Sequence, residues 1–362
     1  MSPEESLLAA IEASRPDIVI PCDERAAQHL RALHKRACSS SILDGTLTSL
    51  IERSLGQPRS YPIVSARYNF LEFARGAGLS VPDTQKVERV EDLESWEISH
   101  PFPWLLKADG TWGGGGVKIV QTKHEAKQAF LDLQELFNVR RVATSLCFRR
   151  DWFCLRPWWI GFRPSVTVQS HIEGSPANCG VVCWGGQVHA FIAVEAVSTL
   201  DQTGPASVVR LVDNCEMRSA AETIAFRLGL SGLFGLDFMI DRTGATHLIE
   251  INPRYTPLCH LQLGPGQDMI EAVRAQLSVS TGCEVSSRSK YSMIALFPQA
   301  WLRKNEFLGE SFQDIPQDEP ELVRELLEPW HGRTLVCKAS NGLRQVRAHV
   351  RGLMDSNFAH ER

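Results

Sequence analysis

The feature that most constrains the fold is a predicted β-hairpin in the second half of the chain. Its two apolar runs are Leu236–Ile240 and Thr246–Ile251, and a turn signal that includes Thr243–Gly244 lies between them. If the turn centres on Thr243–Gly244, Asp237 and Glu250 are equally distant from it along the chain. The pattern therefore predicts that these two carboxylates face each other across neighbouring strands.

The same hairpin carries a predicted metal site. Asn252 lies two residues beyond Glu250, so both side chains point to the face of the sheet that also carries Asp237. Like charges directly opposite each other destabilise a sheet, and a divalent cation is the natural compensation. Oxygen ligands of this kind suit Mg²⁺ or Mn²⁺ and leave room for phosphate oxygens. Asp237, Glu250 and Asn252 are the predicted metal ligands, and Arg254 follows as a planar cation suited to a phosphate.

A second signal is a glycine run between two short apolar segments. A predicted strand ends in Lys107, and Gly113, Gly114, Gly115 and Gly116 precede a second predicted strand. The N–H groups of glycines can approach phosphate oxygens because no Cβ stands in the way. Lys107 is expected at a solvent-accessible position near the α- or β-phosphate. No G-K-[ST] opens a helix here, so the segment differs from a Walker A motif, and a mobile linker is the alternative interpretation.

Together these residues resemble the ATP-grasp superfamily, which includes biotin carboxylase, D-alanine–D-alanine ligase and the large subunit of carbamoyl-phosphate synthetase. Asp237 followed by Glu250-Ile251-Asn252-Pro253-Arg254 is similar to the metal-binding end of that fold. The Lys107 loop is similar to its flexible glycine loop. The segment Gly78–Pro82 resembles the end of a helix near whose start the family places a cation for the nucleotide phosphates. By position that cation is Arg67, although a solvated arginine explains this residue equally well.

The segment Ser165–Gly174 resembles the part of the ATP-grasp fold that holds adenine. The family often has a glutamate where this chain has Gln169, which would accept the adenine amino group. The resemblance implies that Ser170 and His171 contact adenine through their backbone groups and that Ile172 makes an apolar contact. It also implies a ribose contact from either Glu173 or Asn178.

The resemblance implies an α+β ATP-grasp fold, in which two α+β subdomains clasp ATP. The ATP-grasp domain is expected over residues 63–284, with its lid subdomain at about 100–170. A small C-terminal α+β extension is expected over 285–362, and no chemistry is identified in it. Its predicted strands are 293–298, 334–338 and 344–350.

Residues 1–62 are expected to form part of the α/β layer that precedes an ATP-grasp domain. Ser2 and Glu5 predict the start of a helix as a capping box. Asp17–Pro21 is interpreted as a buried strand, and Asp23 as the cap of a second helix. Because family members usually carry a complete α/β domain here, two interpretations stay open: a shortened form, or a start that lies too late in the chain.

Composition and charge argue against several classes of function. A net charge of −4 and a pI near 6.3 argue against general nucleic-acid binding, and the Arg- and aromatic-rich residues 149–163 are interpreted as packing with cation–π contacts. No apolar run is long enough to span a membrane, and the N-terminus lacks a signal-peptide pattern. The 10 cysteines form no CxxC pair, and none is expected beside a histidine or at a helix N-terminus. Reduced, non-catalytic thiols in a cytoplasmic protein follow from this pattern.

The resemblance also implies a reaction. ATP-grasp enzymes typically phosphorylate a carboxylate with ATP, and an amine or other nucleophile then displaces the phosphate. An ATP- and Mg²⁺-dependent (or Mn²⁺-dependent) ligase of small-molecule carboxylates and amines is therefore expected, with Arg254 and Lys107 as catalytic residues. A kinase-like member and a nucleotide-binding module without turnover are the alternatives. A homodimer is kept as a candidate assembly.

Overall fold

The computed structural model describes residues 2–39, 45–111, 116–136, 138–144, 155–159, 161–201, 203–264, 266–277, 292–302 and 306–327. The chain divides into two compact units. The larger unit comprises Met1–Leu136 and Arg163–Ile315, and the smaller comprises Phe137–Phe162 and Pro316–Arg362. The larger unit contains both sheets of the fold, and with them most of the predicted site residues.

Besides a short 3₁₀ helix at Pro58–Ser60, the described N-terminal part of the larger unit contains five α-helices. They are α1 (Pro3–Ser14), α2 (Glu24–Ser39), α3 (Gly45–Leu55), α4 (Tyr61–Val64) and α5 (Arg67–Gly76). The predicted capping box of α1 is confirmed, because the N–H of Glu5 donates to Ser2 Oγ and the N–H of Ser2 donates to Glu5 Oε2. Asp23 also caps α2 as predicted, since its Oδ1 accepts from the N–H of Ala26 at 2.7 Å.

The strand predicted at Asp17–Pro21 is wrong. Among the described residues this segment pairs with no strand. Instead, the N–H of Val19 donates to Ser54 Oγ, and the carbonyl of Pro21 accepts from the N–H of Tyr255. The apolar side chains of the segment divide between two separate clusters, which explains the apolar run without a sheet. The described part of residues 1–62 thus contains helices and no strand, and its assignment to the layer that precedes an ATP-grasp domain stays a prediction.

A four-stranded antiparallel sheet follows. Its strands are β1 (Thr84–Val87), β2 (Trp104–Ala108), β3 (Val117–Val120) and β4 (Val166–Ser170), in the order β1-β4-β2-β3. Helices α6 (Val90–Glu97) and α7 (Lys123–Gln134) pack on this small sheet. The edge strand Thr84–Val87 lies before the lid predicted at about 100–170, and the bounds of the lid stay a prediction.

A seven-stranded sheet forms the rest of the larger unit, in the order β11-β10-β7-β6-β5-β8-β9. Its strands are β5 (Gly174–Trp184), β6 (Gln187–Thr199), β7 (Ala206–Leu211), β8 (Gly232–Asp241), β9 (Thr246–Asn252), β10 (Met293–Leu296) and β11 (Phe312–Asp314). All pairs are antiparallel except β10 with β11. The strand predicted at 293–298 is thus confirmed as β10, within the large sheet.

Apolar clusters cover this large sheet. One cluster joins α5 and α10 (Cys215–Leu228) to it through residues such as Phe70, Ile224 and Leu236. Another cluster joins α11 (Met269–Gln276) to the same sheet through Met269 and Val273. A short helix, α12 (Gln299–Leu302), follows β10. This packing makes α5 and the β8–β9 hairpin neighbours.

The smaller unit has three described helices, α8 (Val139–Thr144), α9 (Leu155–Trp159) and α13 (Pro320–Leu327). The strands predicted at 334–338 and 344–350 lie outside the described residues, as do 278–291, where a domain boundary at 284/285 was expected. That boundary and the one at 62/63 stay predictions. None of the described helices is both long and apolar enough to cross a membrane.

The cysteines that the structure describes are free thiols: Cys22, Cys38, Cys179, Cys183, Cys215 and Cys259. Two expectations about their surroundings are wrong. Cys38 Sγ lies 3.7 Å from Nδ1 of His34, one helical turn earlier, and Cys215 is the first residue of α10. Burial raises the pKa of the Cys179 and Cys183 thiols, which makes these two unreactive.

Candidate functional site

The β8–β9 hairpin places two carboxylates opposite each other. The predicted pairing of Asp237 with Glu250 is confirmed. The register next to the turn differs from the predicted one, because Ile240 pairs with Thr246 and the turn is one residue shorter than predicted. A bulge at Ile249 then shifts the register by one residue and restores the predicted pair.

Asp237 is held by two amide side chains. Asn178 Nδ2 donates to Asp237 Oδ1 at 2.7 Å, and Asn252 Nδ2 donates to Asp237 Oδ2 at 3.0 Å. Burial raises the pKa of Asp237, and the nearby Glu250 carboxylate raises it further. Asn178 lies directly across from Asp237 on β5. Sequence reasoning missed this contact because nothing in the local pattern shows that β5 lies beside β8.

Glu250 is compensated by an arginine of the protein itself. Arg67, the first residue of α5, donates from Nη2 to Glu250 Oε1 at 2.8 Å, and its Nη1 lies 3.5 Å from Asp109 Oδ1. The Arg67 side chain is only 7% exposed. Burial lowers the pKa of Arg67, but Glu250 and Asp109 more than offset this and raise it above its usual value. The interpretation of Arg67 as a solvated arginine is therefore wrong. Arg67 balances part of the charge of the hairpin acids from within the chain, and the divalent cation stays a prediction.

Lys107 lies on β2 with its side chain buried. It is 4% exposed, so the expected solvent-accessible position is wrong. Burial and then the nearby Arg67 lower its pKa to about 8. Among the described residues its ammonium group has no hydrogen bond or ion pair. A buried cation without a partner is costly, and a phosphate would supply the missing partner.

The glycine loop is described only in part, because Gly113, Gly114 and Gly115 lie outside the described residues. Gly116 closes the β2–β3 connection, since its carbonyl accepts from the N–H of Ala108 at 2.9 Å. A Cβ at Gly116 would lie 2.1 Å from Thr111 Oγ1, so only glycine fits there without a shift.

The predicted adenine segment joins the two sheets. Gln169 lies on β4 of the small sheet, and its side chain is 2% exposed. Its Nε2 donates to Thr84 Oγ1 at 3.1 Å. The N–H of Ser170 already donates to the carbonyl of Asp83. Residues 171–173 then cross to β5, with His171 exposed and Ile172 half-buried. The position of the segment between the sheets agrees with the resemblance, and its adenine contacts stay predictions.

The two ribose candidates lie in different places. Glu173 is exposed and forms an ion pair with Arg242, in the turn of the hairpin. Asn178 lies on β5, directly across from Asp237 in the middle of β8. The choice between them for a ribose contact remains a prediction.

Arg254 follows the hairpin directly. Its Nη2 donates to Asn252 Oδ1 at 3.1 Å, and its Nη1 donates to the carbonyl of Tyr255 at 3.0 Å. Asn252 therefore links Arg254 to Asp237, with its amide oxygen toward the arginine and its amide nitrogen toward the carboxylate. A metal bound by Asn252 needs that oxygen, so binding would exchange these hydrogen bonds.

The arrangement suits a metal-bound polyphosphate. Three cations, Lys107, Arg67 and Arg254, are brought to the same region as the carboxylates of Asp237 and Glu250. Carboxylate and amide oxygens fit Mg²⁺ or Mn²⁺, and the cations fit phosphate oxygens. The described part of the chain, this site included, contains no group of three or more His, Cys, Asp and Glu side chains with the geometry of a metal site, so the proposed ligands are two carboxylates and an amide.

Comparison with known proteins gives the family context. A family model described as the ATP-grasp domain matches residues 158–257, which include the whole β8–β9 hairpin. The biotin carboxylase domain of Hydrogenobacter thermophilus 2-oxoglutarate carboxylase matches 79% of this chain with a TM-score of 0.56 and 14% identity. The chain has an ATP-grasp fold. Curated proteins give no match to the sequence.

Other solved ATP-grasp structures are similar to a comparable extent. Campylobacter jejuni biotin carboxylase matches 79% of this chain with a TM-score of 0.55 and 15% identity. Thermotoga maritima N5-carboxyaminoimidazole ribonucleotide synthetase matches 78% with a TM-score of 0.50 and 15% identity, over 64% of its own chain. This chain covers 58% of the length of the Hydrogenobacter domain and 59% of the length of the Campylobacter enzyme. At these identities the likeness establishes the fold.

Proposed function

We propose that this ATP-grasp protein is an ATP- and Mg²⁺-dependent ligase that activates a carboxylate as an acyl phosphate for attack by an amine or other nucleophile. The observation that carries the proposal is the pairing of Asp237 with Glu250 across β8 and β9, with Asn252 and Arg254 next in the chain. This is the donor set that a phosphate-bound divalent cation requires. Mn²⁺ is the alternative metal.

Each candidate residue has a role in this proposal. Asp237, Glu250 and Asn252 hold the metal, which when bound neutralises charge on the phosphates during phosphoryl transfer. Arg67, Lys107 and the loop Gly113–Gly116 hold the phosphates. Arg254 stabilises the charge that develops on the transferred group. The base and ribose contact the linker residues Gln169, Ser170, His171 and Ile172, with either Glu173 or Asn178.

Arg67 already has partners in the site, because its Nη2 donates to Glu250 Oε1 and its Nη1 to the carbonyl of Ala108. A phosphate bound at these nitrogens would share or exchange those hydrogen bonds. Lys107 needs no such exchange, because its ammonium group has no partner among the described residues. Phosphate beside Lys107 favours the charged form and raises its pKa from about 8.

Bound molecules in the similar structures support the choice of nucleotide and metal. The Hydrogenobacter domain was solved with MgADP, ADP and bicarbonate, and the Campylobacter enzyme with an ATP complex. Free thiols at the described cysteines agree with a cytoplasmic location, which is part of the proposal. A homodimer stays a prediction.

The test is a screen of carboxylic acids paired with amino acids and amines in Mg-ATP, with ADP and phosphate measured together. The proposal predicts phosphate release that requires both an acid and an amine. Asp237→Asn is expected to abolish it, whereas Asp132→Asn, which changes an exposed aspartate of α7, is expected to leave it unchanged. A stable phosphorylated product would indicate a kinase, and ATP binding without ADP formation would indicate a binding module.

A further inference from the structure

A second ion pair lies beside the proposed site and has no role in it so far. Arg31, two turns into α2, donates from Nη1 to Glu24 Oε1 at 3.1 Å and to Ser65 Oγ at 2.9 Å. The Arg31 side chain is 9% exposed and that of Glu24 is 27% exposed. Arg31 is thus the buried member of the pair, and Glu24 is the member that a ligand can reach.

Backbone contacts bring this pair close to Arg254. The N–H of Tyr255, next to Arg254, donates to the carbonyl of Pro21, just before α2. Arg31 and Pro253 also line one small cavity. Burial raises the pKa of Glu24, and the charges of Arg31, Arg254 and Glu250 act on it as well, so Glu24 lies within electrostatic range of the metal and phosphate residues.

The pair is built to present a carboxylate. Arg31 holds Glu24 with one nitrogen, Nη1, which it shares with Ser65, and its Nε is buried without a hydrogen-bond partner among the described residues. Glu24 Oε1 is held by Arg31, whereas Oε2 accepts no hydrogen bond within the described chain. A partly exposed carboxylate with one oxygen fixed and the other free is suited to a charge-assisted hydrogen bond from an ammonium group.

We infer that Glu24 binds the ammonium group of the amine substrate, with Arg31 and Ser65 as positioning residues behind it. The inference rests on the proposed ligase function, because it assigns the amine of that reaction to this side of the site. It concerns binding alone and involves no bond change at Glu24. The ligand class is a primary amine that is protonated near neutral pH.

The test is a calorimetric titration with two probes of similar size, glycinamide, which carries an ammonium group, and acetamide, which carries none. Each is titrated into the full-length protein with and without saturating Mg-ADP. Glu24→Gln keeps the shape and still accepts from Arg31, so the fold is retained. Glycinamide affinity is expected to fall about tenfold or more in Glu24→Gln, while Mg-ADP affinity stays within about twofold.

Controls separate charge recognition from structure. Glu72→Gln makes the same change in an exposed ion pair of α5 and is expected to alter neither affinity. Ser65→Ala removes one acceptor of Arg31 and is expected to weaken glycinamide binding by less than Glu24→Gln does. Acetamide is expected to bind weakly and equally to the parent and all variants.

Several results would overturn the inference. These are equal glycinamide affinity in the parent and Glu24→Gln, no glycinamide binding by the parent, or a parallel loss of melting temperature, Mg-ADP affinity and glycinamide affinity in Glu24→Gln. A parent that fails to bind Mg-ADP would contradict the proposed function instead. The titrations without nucleotide then still decide the role of Glu24.

Discussion

At the scale of single residues, Lys107 holds a positive charge on a side chain that is almost wholly buried. The side chain is 4% exposed, and its pKa is about 8 against an ordinary value of 10.5. Keeping a cation there lowers the stability of the protein without nucleotide, and the same cation is available to a phosphate when nucleotide binds. Binding strength is thus gained at the expense of stability.

This predicts a specific dependence of stability on pH. Between about pH 8 and 10.5 the unfolded chain binds a proton at Lys107 that the folded chain lacks, so the free energy of unfolding rises with pH in this window. Below it, the full cost of burying the charge remains. Lys107→Met should therefore stabilise the nucleotide-free protein near neutral pH by up to about 3 kcal/mol and remove the rise.

Urea unfolding of the parent, Lys107→Met and Lys118→Met at several pH values measures this effect. Lys118 is an exposed lysine on β3 of the same small sheet, so its replacement serves as the matched control. The other titrating groups are common to the parent and each variant, so their contributions cancel in the difference between the two free energies of unfolding. Parallel curves for the parent and Lys107→Met would contradict the account of Lys107.

At the scale of elements, the ion pair of Arg67 with Glu250 ties the start of α5 to β9. The two elements also share an apolar cluster, through Phe70, Leu71 and Ile251. The tie matters because Arg67 is buried, and without Glu250 its charge is left with the longer contact to Asp109.

Glu250→Gln should therefore destabilise the metal-free protein by about 1–3 kcal/mol, although it removes the repulsion between Glu250 and Asp237. The amide keeps the shape and one acceptor, which limits the loss. Thermal and urea unfolding in EDTA measure this loss of stability. Glu72→Gln, which changes an exposed glutamate on α5, the helix that carries Arg67, is the control. A Glu250→Gln protein as stable as the parent in EDTA would show that Arg67 does not depend on Glu250. Stabilisation by Mg-ATP is expected to disappear in the same variant.

Local pattern predicted some elements and failed for others for identifiable reasons. The hairpin pair of Asp237 and Glu250 was predictable because alternation and the turn signal lie within one short segment, and the bulge at Ile249 compensated for the wrong turn centre. The segment Asp17–Pro21 failed because an apolar run can also divide its side chains between two clusters without joining a sheet, here one on the large sheet and one on α2 and α3. The helix α3 was missed, although Leu47, Leu50, Ile51 and Leu55 have helical spacing.

At the scale of the whole molecule, the site is assembled from segments that are far apart in sequence. Arg67 comes from α5, Lys107 and Asp109 from the small sheet and its loop, and Asp237 and Glu250 from the hairpin. The order of the motifs was enough to predict the ATP-grasp fold. It could not show that Arg67 contacts Glu250 or that Asn178 contacts Asp237, because those contacts depend on which elements pack together.

Calorimetric titration of ATP, with Mg²⁺ and with EDTA, into the parent, Lys107→Met and Lys118→Met tests the proposed metal–nucleotide site most directly. We expect Mg²⁺-dependent binding to the parent and to Lys118→Met with similar affinity, and an affinity about tenfold or more lower for Lys107→Met. Lys107→Met should at the same time be no less stable than the parent, so that lost binding cannot be attributed to unfolding. A parent that binds no Mg-ATP, or a Lys107→Met protein that binds it as tightly as the parent, would contradict the central claim that these elements form a metal–nucleotide site.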